Sequence, residues 1–196
     1  MSIVTFLTDF ADQAVVLPLV AAIAIVLIGR GWWRGALAWL GVIGVTFCVV
    51  LVLKLSFLAC GPVFAPWTLR SPSGHTAAAA VVAGGLAALL TGRLAAALPV
   101  ALLAATGIGM SRVALGYHSV LEVVIGAALG VTGAAAMSRL AGPPPSGRTV
   151  SLLAAAGVVA LMLHGFRLPA EAAIWHASHG VLDFVAACRA DMGVPL

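Results

Sequence analysis

Two short polar stretches interrupt an otherwise apolar chain: Arg70-Ser-Pro-Ser-Gly-His75, and Ser111-Arg112 with His118 and Glu122 following it. The first opens an alanine-rich run, so a hydroxyl, an imidazole and unpaired backbone N–H groups gather at the positive end of a helix, which favours an anion. The second stands at a similar junction between two later apolar runs. If the two junctions meet on one side of a membrane, they form a phosphate site. Cleaving a phosphoester without a metal requires cationic donors, a nucleophile and an acid. Lys54, Arg70 and Arg112 supply the cations, joined by Ser73 and the N–H of Gly74. His118 can attack phosphorus, and Glu122, one helical turn further on, can hold one imidazole nitrogen and leave the other free. His75 can then protonate the departing alkoxide and later deprotonate the incoming water.

Such residues need a scaffold, and the composition restricts what that scaffold is. Of 196 residues, 63% are hydrophobic and 8% charged, too little polar surface to cover a water-soluble domain. The fold class expected is all-α: a polytopic membrane protein with a six-transmembrane-helix bundle, each span near the ~17 to 25 residues that cross a bilayer. The spans are expected at about Phe10 to Ile28, Gly35 to Phe57, Gly74 to Leu90, Leu94 to Met110, Val120 to Met137 and Val150 to Phe166. Residues 1–167 form this bundle domain, and 168–196 a separate tail. In the tail Glu171, His176, His179, Asp183 and Arg189 are too polar for a crossing. Ile174, Ala177, Val181, Val185 and Cys188 nevertheless recur at helical spacing, which suits an amphipathic helix on the membrane surface or across the bundle mouth.

The formal net charge of +4 does not indicate nucleic acid, because the basic residues are scattered singly and form no cationic stripe. Cys48, Cys60 and Cys188 make no CxxC pair, and no cofactor or metal is expected. A cleavable leader is not expected either, since Asp9 and Asp12 stand where a basic segment would be. Counting loop cations puts Arg30, Arg34, Arg93, Arg139 and Arg148 at one end, and Lys54, Arg70, Arg112, Arg167 and Arg189 at the other. The first group has no other evident role and is placed inside, which puts the polar clusters and both chain ends outside. A bacterial inner membrane, with the site facing the periplasm, is the expected location.

Pro72-Ser-Gly-His75 and Ser111-Arg112-x5-His118-x3-Glu122 resemble the second and third signature motifs of the type 2 phosphatidic acid phosphatase family. The resemblance covers about Lys54 to Gly130. It implies a six-span helical fold, a metal-free phosphohistidine mechanism, and lipid phosphates or pyrophosphates as substrates: phosphatidylglycerol phosphate, polyprenyl pyrophosphate, phosphatidate or lipid A phosphates. Two positions depart from the family pattern. Its first motif has Arg-Pro seven residues after the lysine, where this chain has Gly61-Pro62, and Arg70 is the expected replacement. Its third motif ends in aspartate, where this chain has the longer Glu122.

The same residues admit other roles. A phosphotransferase would share the phosphohistidine and replace water with a lipid or sugar hydroxyl, and a non-catalytic bundle could bind lipid phosphates without cleaving them. His176 and His179 lack a third ligand nearby and are read as a solvated face. Gly84, Gly85, Gly126, Gly130 and Gly133 are expected to permit close helix packing, and Trp32-Trp33 to form an interfacial belt. The partners expected are the bilayer and a lipid phosphate; the oligomeric state is left open.

Overall fold

The computed structural model describes residues 2–64, 71–145, 149–170, 172–174 and 176–177. Among the described residues the main helices are, in order, α1 (Ile3–Asp9), α2 (Gln13–Gly29), α3 (Trp33–Phe64), α4 (Gly74–Thr91), α5 (Leu94–Ala114), α6 (Val120–Leu140) and α7 (Thr149–Leu163). The described residues contain no strand.

α4 is the central helix. Its Ala77, Ala78, Ala80, Val81, Gly84, Gly85 and Ala88 are buried, and it packs against α5 and α6 as well as α3. Helices in a bilayer gain little from hydrophobic segregation, so they associate by close van der Waals contact, which small residues permit. The glycines show this directly. A Cβ on Gly126 would meet the carbonyl of Ser73, one on Gly130 the carbonyl of Ala77, and one on Gly84 the methyls of Ala101 and Ala134. α5 follows α4 through a tight hairpin in which Gly92 adopts φ +66°, a left-handed conformation that glycine adopts at no steric cost. Outside this trio, α2 packs on α3 and α7, and α1 lies on α5. Trp39 of α3 is fully buried and donates from Nε1 to the Val20 carbonyl of α2 at 2.9 Å.

Four helices, α3 to α6, are long and apolar enough to cross a membrane, and a fifth crossing results if α1 and α2 count as one bent span. The first span, expected from about Phe10 to Ile28, corresponds to α2, which starts three residues later, and α1 is a separate short helix ahead of it. Asp12 caps α2 by accepting the Ala14 N–H at 2.9 Å, and the two helices meet at a 40° bend. α7 has 15 residues, about 22 Å at the helical rise, short of a hydrocarbon core of roughly 30 Å. It ends at Leu163, before the expected Phe166, and the chain turns at Gly165 with φ +89°. Arg112 lies inside the last turn of α5, because that helix runs past Met110 to Ala114. Of the Trp32-Trp33 pair expected at the interface, Trp33 is exposed, but Trp32 is turned into the core, its ring lying against Gly35. The amphipathic tail falls largely outside the described residues, although a helical stretch begins at Ala170.

Candidate active site

The start of α6 shows why the two polar stretches come together. Ser119 caps this helix in a reciprocal capping box: its hydroxyl accepts the Glu122 N–H at 3.4 Å, while Glu122 Oε2 accepts the Ser119 N–H at 2.9 Å. The same oxygen lies 3.0 Å from Nδ1 of His118. The other oxygen, Oε1, reaches across to the Ser71 N–H at 3.0 Å, and the Glu122 carbonyl accepts the Ser73 N–H at 3.0 Å. A carboxylate that is 4% exposed would be costly without partners. This one has three, and they join the stretch before α4 to the loop before α6.

On the α4 side, Ser73 is the cap: its Oγ accepts the Thr76 hydroxyl at 2.9 Å and the Thr76 N–H at 3.5 Å. Ser73 is fully buried, so its evident work is to fix the first turn, whose leading amides have no acceptor within a helix. Lys54 comes from α3, is 2% exposed and runs alongside Gly74. A Cβ there would sit 3.4 Å from Lys54 Cε and 3.9 Å from Nζ. Lys54, Gly74 and His75 share the wall of a cavity of about 360 Å³ with Val50, Asp12 and Ile174. Arg112 is buried at the end of α5, with its guanidinium 4.4 Å from the centre of the Tyr117 ring. Arg70 lies outside the described residues.

His118 has a side chain 8% exposed, and burial, which disfavours the imidazolium, holds its pKa below the ordinary imidazole value. The hydrogen bond to Glu122 opposes this shift, while the positive charges of Lys54 and Arg112 reinforce it. With Nδ1 donating to Glu122, the proton is on Nδ1 and the lone pair is on Nε2. The result is a neutral imidazole of fixed orientation, electrostatically coupled to two cations, which is suited to attack phosphorus.

A model of the PAP2 superfamily matches residues 35–145, more than half of the chain. The chain belongs to this superfamily. No curated protein and no solved structure matches it. The PAP2 match and the apolar helices together point to a membrane protein of phosphatase type. The PAP2 span holds Lys54, Ser73, Gly74, His75, Arg112, His118 and Glu122, and leaves α1, α2 and α7 outside.

What sequence reading missed lies mostly in those outer elements. Asp9 and Asp12 were read only as acidic residues near the chain start, yet they are 2% and 8% exposed. Arg167 forms a two-pronged ion pair with Asp9, at 2.9 and 3.2 Å, and Asp12 Oδ1 accepts the Leu168 N–H at 3.0 Å. Asp12 Oδ2 also lies 3.8 Å from His75 Nε2. Two acidic residues in so apolar a chain are themselves a signal that partners exist, because uncompensated carboxylates are rarely buried. The capping box was missed, although Ser119-x-x-Glu122 is its local signal; His176, read as part of a solvated face, is exposed.

Proposed function

We propose that the protein is an integral-membrane phosphatase that hydrolyses a lipid phosphate or pyrophosphate through a phosphohistidine on His118. The observation that carries this reading is the Glu122 carboxylate, which holds His118 Nδ1 and the Ser71 and Ser119 amides at once. It joins the candidate nucleophile to the helix start that would receive the phosphate.

In the first step His118 Nε2 attacks phosphorus, so that an N–P bond forms as the P–O bond to the leaving group breaks. His75 gives its proton to the departing oxygen. Glu122 stabilises the imidazolium that forms, while Lys54, Arg112 and the Gly74 amide balance charge on the phosphoryl oxygens. Arg70 adds a further cation, in place of the arginine that the family pattern puts at Gly61. In the second step water attacks phosphorus, His75 takes its proton, the N–P bond breaks and inorganic phosphate leaves. The bundle makes six crossings in this reading, with α1 and α2 as one bent span, α7 as a short one, and the site at the outer face.

Phosphate release by the purified protein from a panel of lipid phosphates, in EDTA and with or without a hydroxyl acceptor, tests the proposal. Wild-type turnover should be accompanied by an acid-labile phosphoenzyme, and His118→Ala should lose both. Comparable turnover by His118→Ala would refute the mechanism. Appearance of a phosphorylated acceptor in place of free phosphate would identify a transferase.

A further inference from the structure

Building on this phosphatase reading, we propose that Asp12 is a positioning residue for His75: its carboxylate orients the imidazole and favours the protonated form that delivers a proton to the leaving group. Asp12 Oδ2 lies 3.8 Å from His75 Nε2, with the two side chains 11% and 12% exposed. The other carboxylate oxygen is fully committed. Oδ1 accepts N–H groups from Ala14 at 2.9 Å and from Leu168 at 3.0 Å, so the carboxylate is held from both sides and Oδ2 is directed at His75. Leu168 is in turn secured by its neighbour Arg167, which pairs with Asp9. Both residues of the Asp12–His75 pair face the cavity that Lys54 also lines.

Among the described residues Lys54 thus stands near two histidine–carboxylate pairs of different geometry, lining the cavity of one and acting electrostatically on the other. His118 is hydrogen-bonded to Glu122 at 3.0 Å, which fixes a tautomer and leaves Nε2 unprotonated. His75 faces Asp12 across a longer gap, too far for a hydrogen bond yet close enough for charge attraction, and catalytic contacts of this kind tighten when substrate binds. Environments that differ in this way are how one site divides nucleophile from acid. Lys54 is the opposing cation in the same cavity, and its charge makes a nearby anion more necessary if His75 is to hold a proton. Asp12 stands before residues 35–145, so the acid's partner comes from a part of the chain that the superfamily match does not include.

A purely structural role for Asp12, as the cap of α2, predicts a different result. Asparagine caps helices as well as aspartate does, so Asp12→Asn keeps the cap oxygen and removes only the charge; Asp12→Ser is a second neutral variant that still caps. The full-length variants are assayed in detergent for kcat/KM, which reports the transfer to His118, on two esters. One is p-nitrophenyl phosphate, whose leaving group needs no proton, and the other is dodecyl phosphate, whose alkoxide does. Asp12→Asn should lose about 10²-fold on dodecyl phosphate and less than about threefold on the aryl ester. His75→Ala should show the same selectivity, and combining the two substitutions should add little, as expected of residues that act as a unit. Equal losses on the two esters, no loss on either, or additive losses in the double variant would overturn the inference and leave the phosphatase reading standing. Absence of phosphate release by the wild-type protein from both esters would overturn that reading and the inference with it.

Discussion

At the scale of single residues the site turns on Glu122, whose carboxylate meets three donors. Glutamine offers one carbonyl oxygen and turns an NH₂ toward the rest. Glu122→Gln should therefore leave at least one of these donors unmet, costing about 1–3 kcal/mol of stability. It should lower kcat/KM by ~10² to 10⁴, as happens when a histidine loses the carboxylate that sets its tautomer. Unfolding in detergent and a kcat/KM measurement check the two effects separately, and a variant that keeps wild-type kcat/KM would show that the carboxylate serves the capping box alone. His118 has a pH consequence of its own. Because burial and two cations hold its pKa low, the imidazole stays unprotonated to lower pH than an ordinary histidine, and this matters if it is the proposed nucleophile. The acid limb of kcat/KM should fall below pH ~6.5, and Lys54→Met, which removes one of the lowering charges, should move that limb upward. A wild-type limb above pH 6.5 would contradict the assignment.

At the scale of elements, the packing of α6 on α4 fixes how far His118 stands from the α4 amides, and glycine sets that separation. A methyl at Gly126 would strike the Ser73 carbonyl, and one at Gly130 the Ala77 carbonyl. Both are backbone groups, so neither can swing aside. Gly126→Ala and Gly130→Ala should each cost about 1–3 kcal/mol, with Gly126→Ala also lowering kcat because it displaces Ser73. Gly41→Ala and Gly107→Ala meet nothing within 4 Å and should be neutral or slightly stabilising; thermal unfolding in detergent distinguishes the two groups. The starts of α4 and α6 were legible in the sequence because Ser73-Gly74 and Ser119-x-x-Glu122 are local signals, read from residues a few positions apart. The break between α1 and α2 was not. What holds Asp9 and Asp12 in place is Arg167 and Leu168, more than 150 residues away, and no local pattern reports such a partner. Trp32 is a different case: its ring, just before α3, lies over Gly35 only three residues on, but a Trp-Trp pair does not say which ring is buried, and here Trp33 keeps the exposed position.

At the scale of the whole molecule the charges sort by end. Arg34 Nε donates to the last carbonyl of α6, at Leu140, at 2.9 Å, and Gly92 of the α4–α5 hairpin lies against Pro144. The start of α3, the end of α6 and that hairpin therefore share one end of the bundle, and with them Arg30, Arg34, Arg93 and Arg139. Lys54 and Arg112 lie by the site, and Arg167 with the Asp9–Asp12 turn, at the opposite end. Short loops rich in arginine are retained in the cytoplasm, whereas in the second group Arg167 pairs with Asp9 and Lys54 and Arg112 stand close enough to act on His118. The site should accordingly face outward. In a background with Cys48, Cys60 and Cys188 replaced, a membrane-impermeant maleimide added to intact cells should label Tyr117→Cys, which is exposed in the loop beside Arg112. It should reach Thr91→Cys, exposed at the far hairpin, only after the cells are permeabilised. Labelling of Thr91→Cys but not Tyr117→Cys in intact cells would invert the protein and place its phosphate chemistry on the cytoplasmic leaflet.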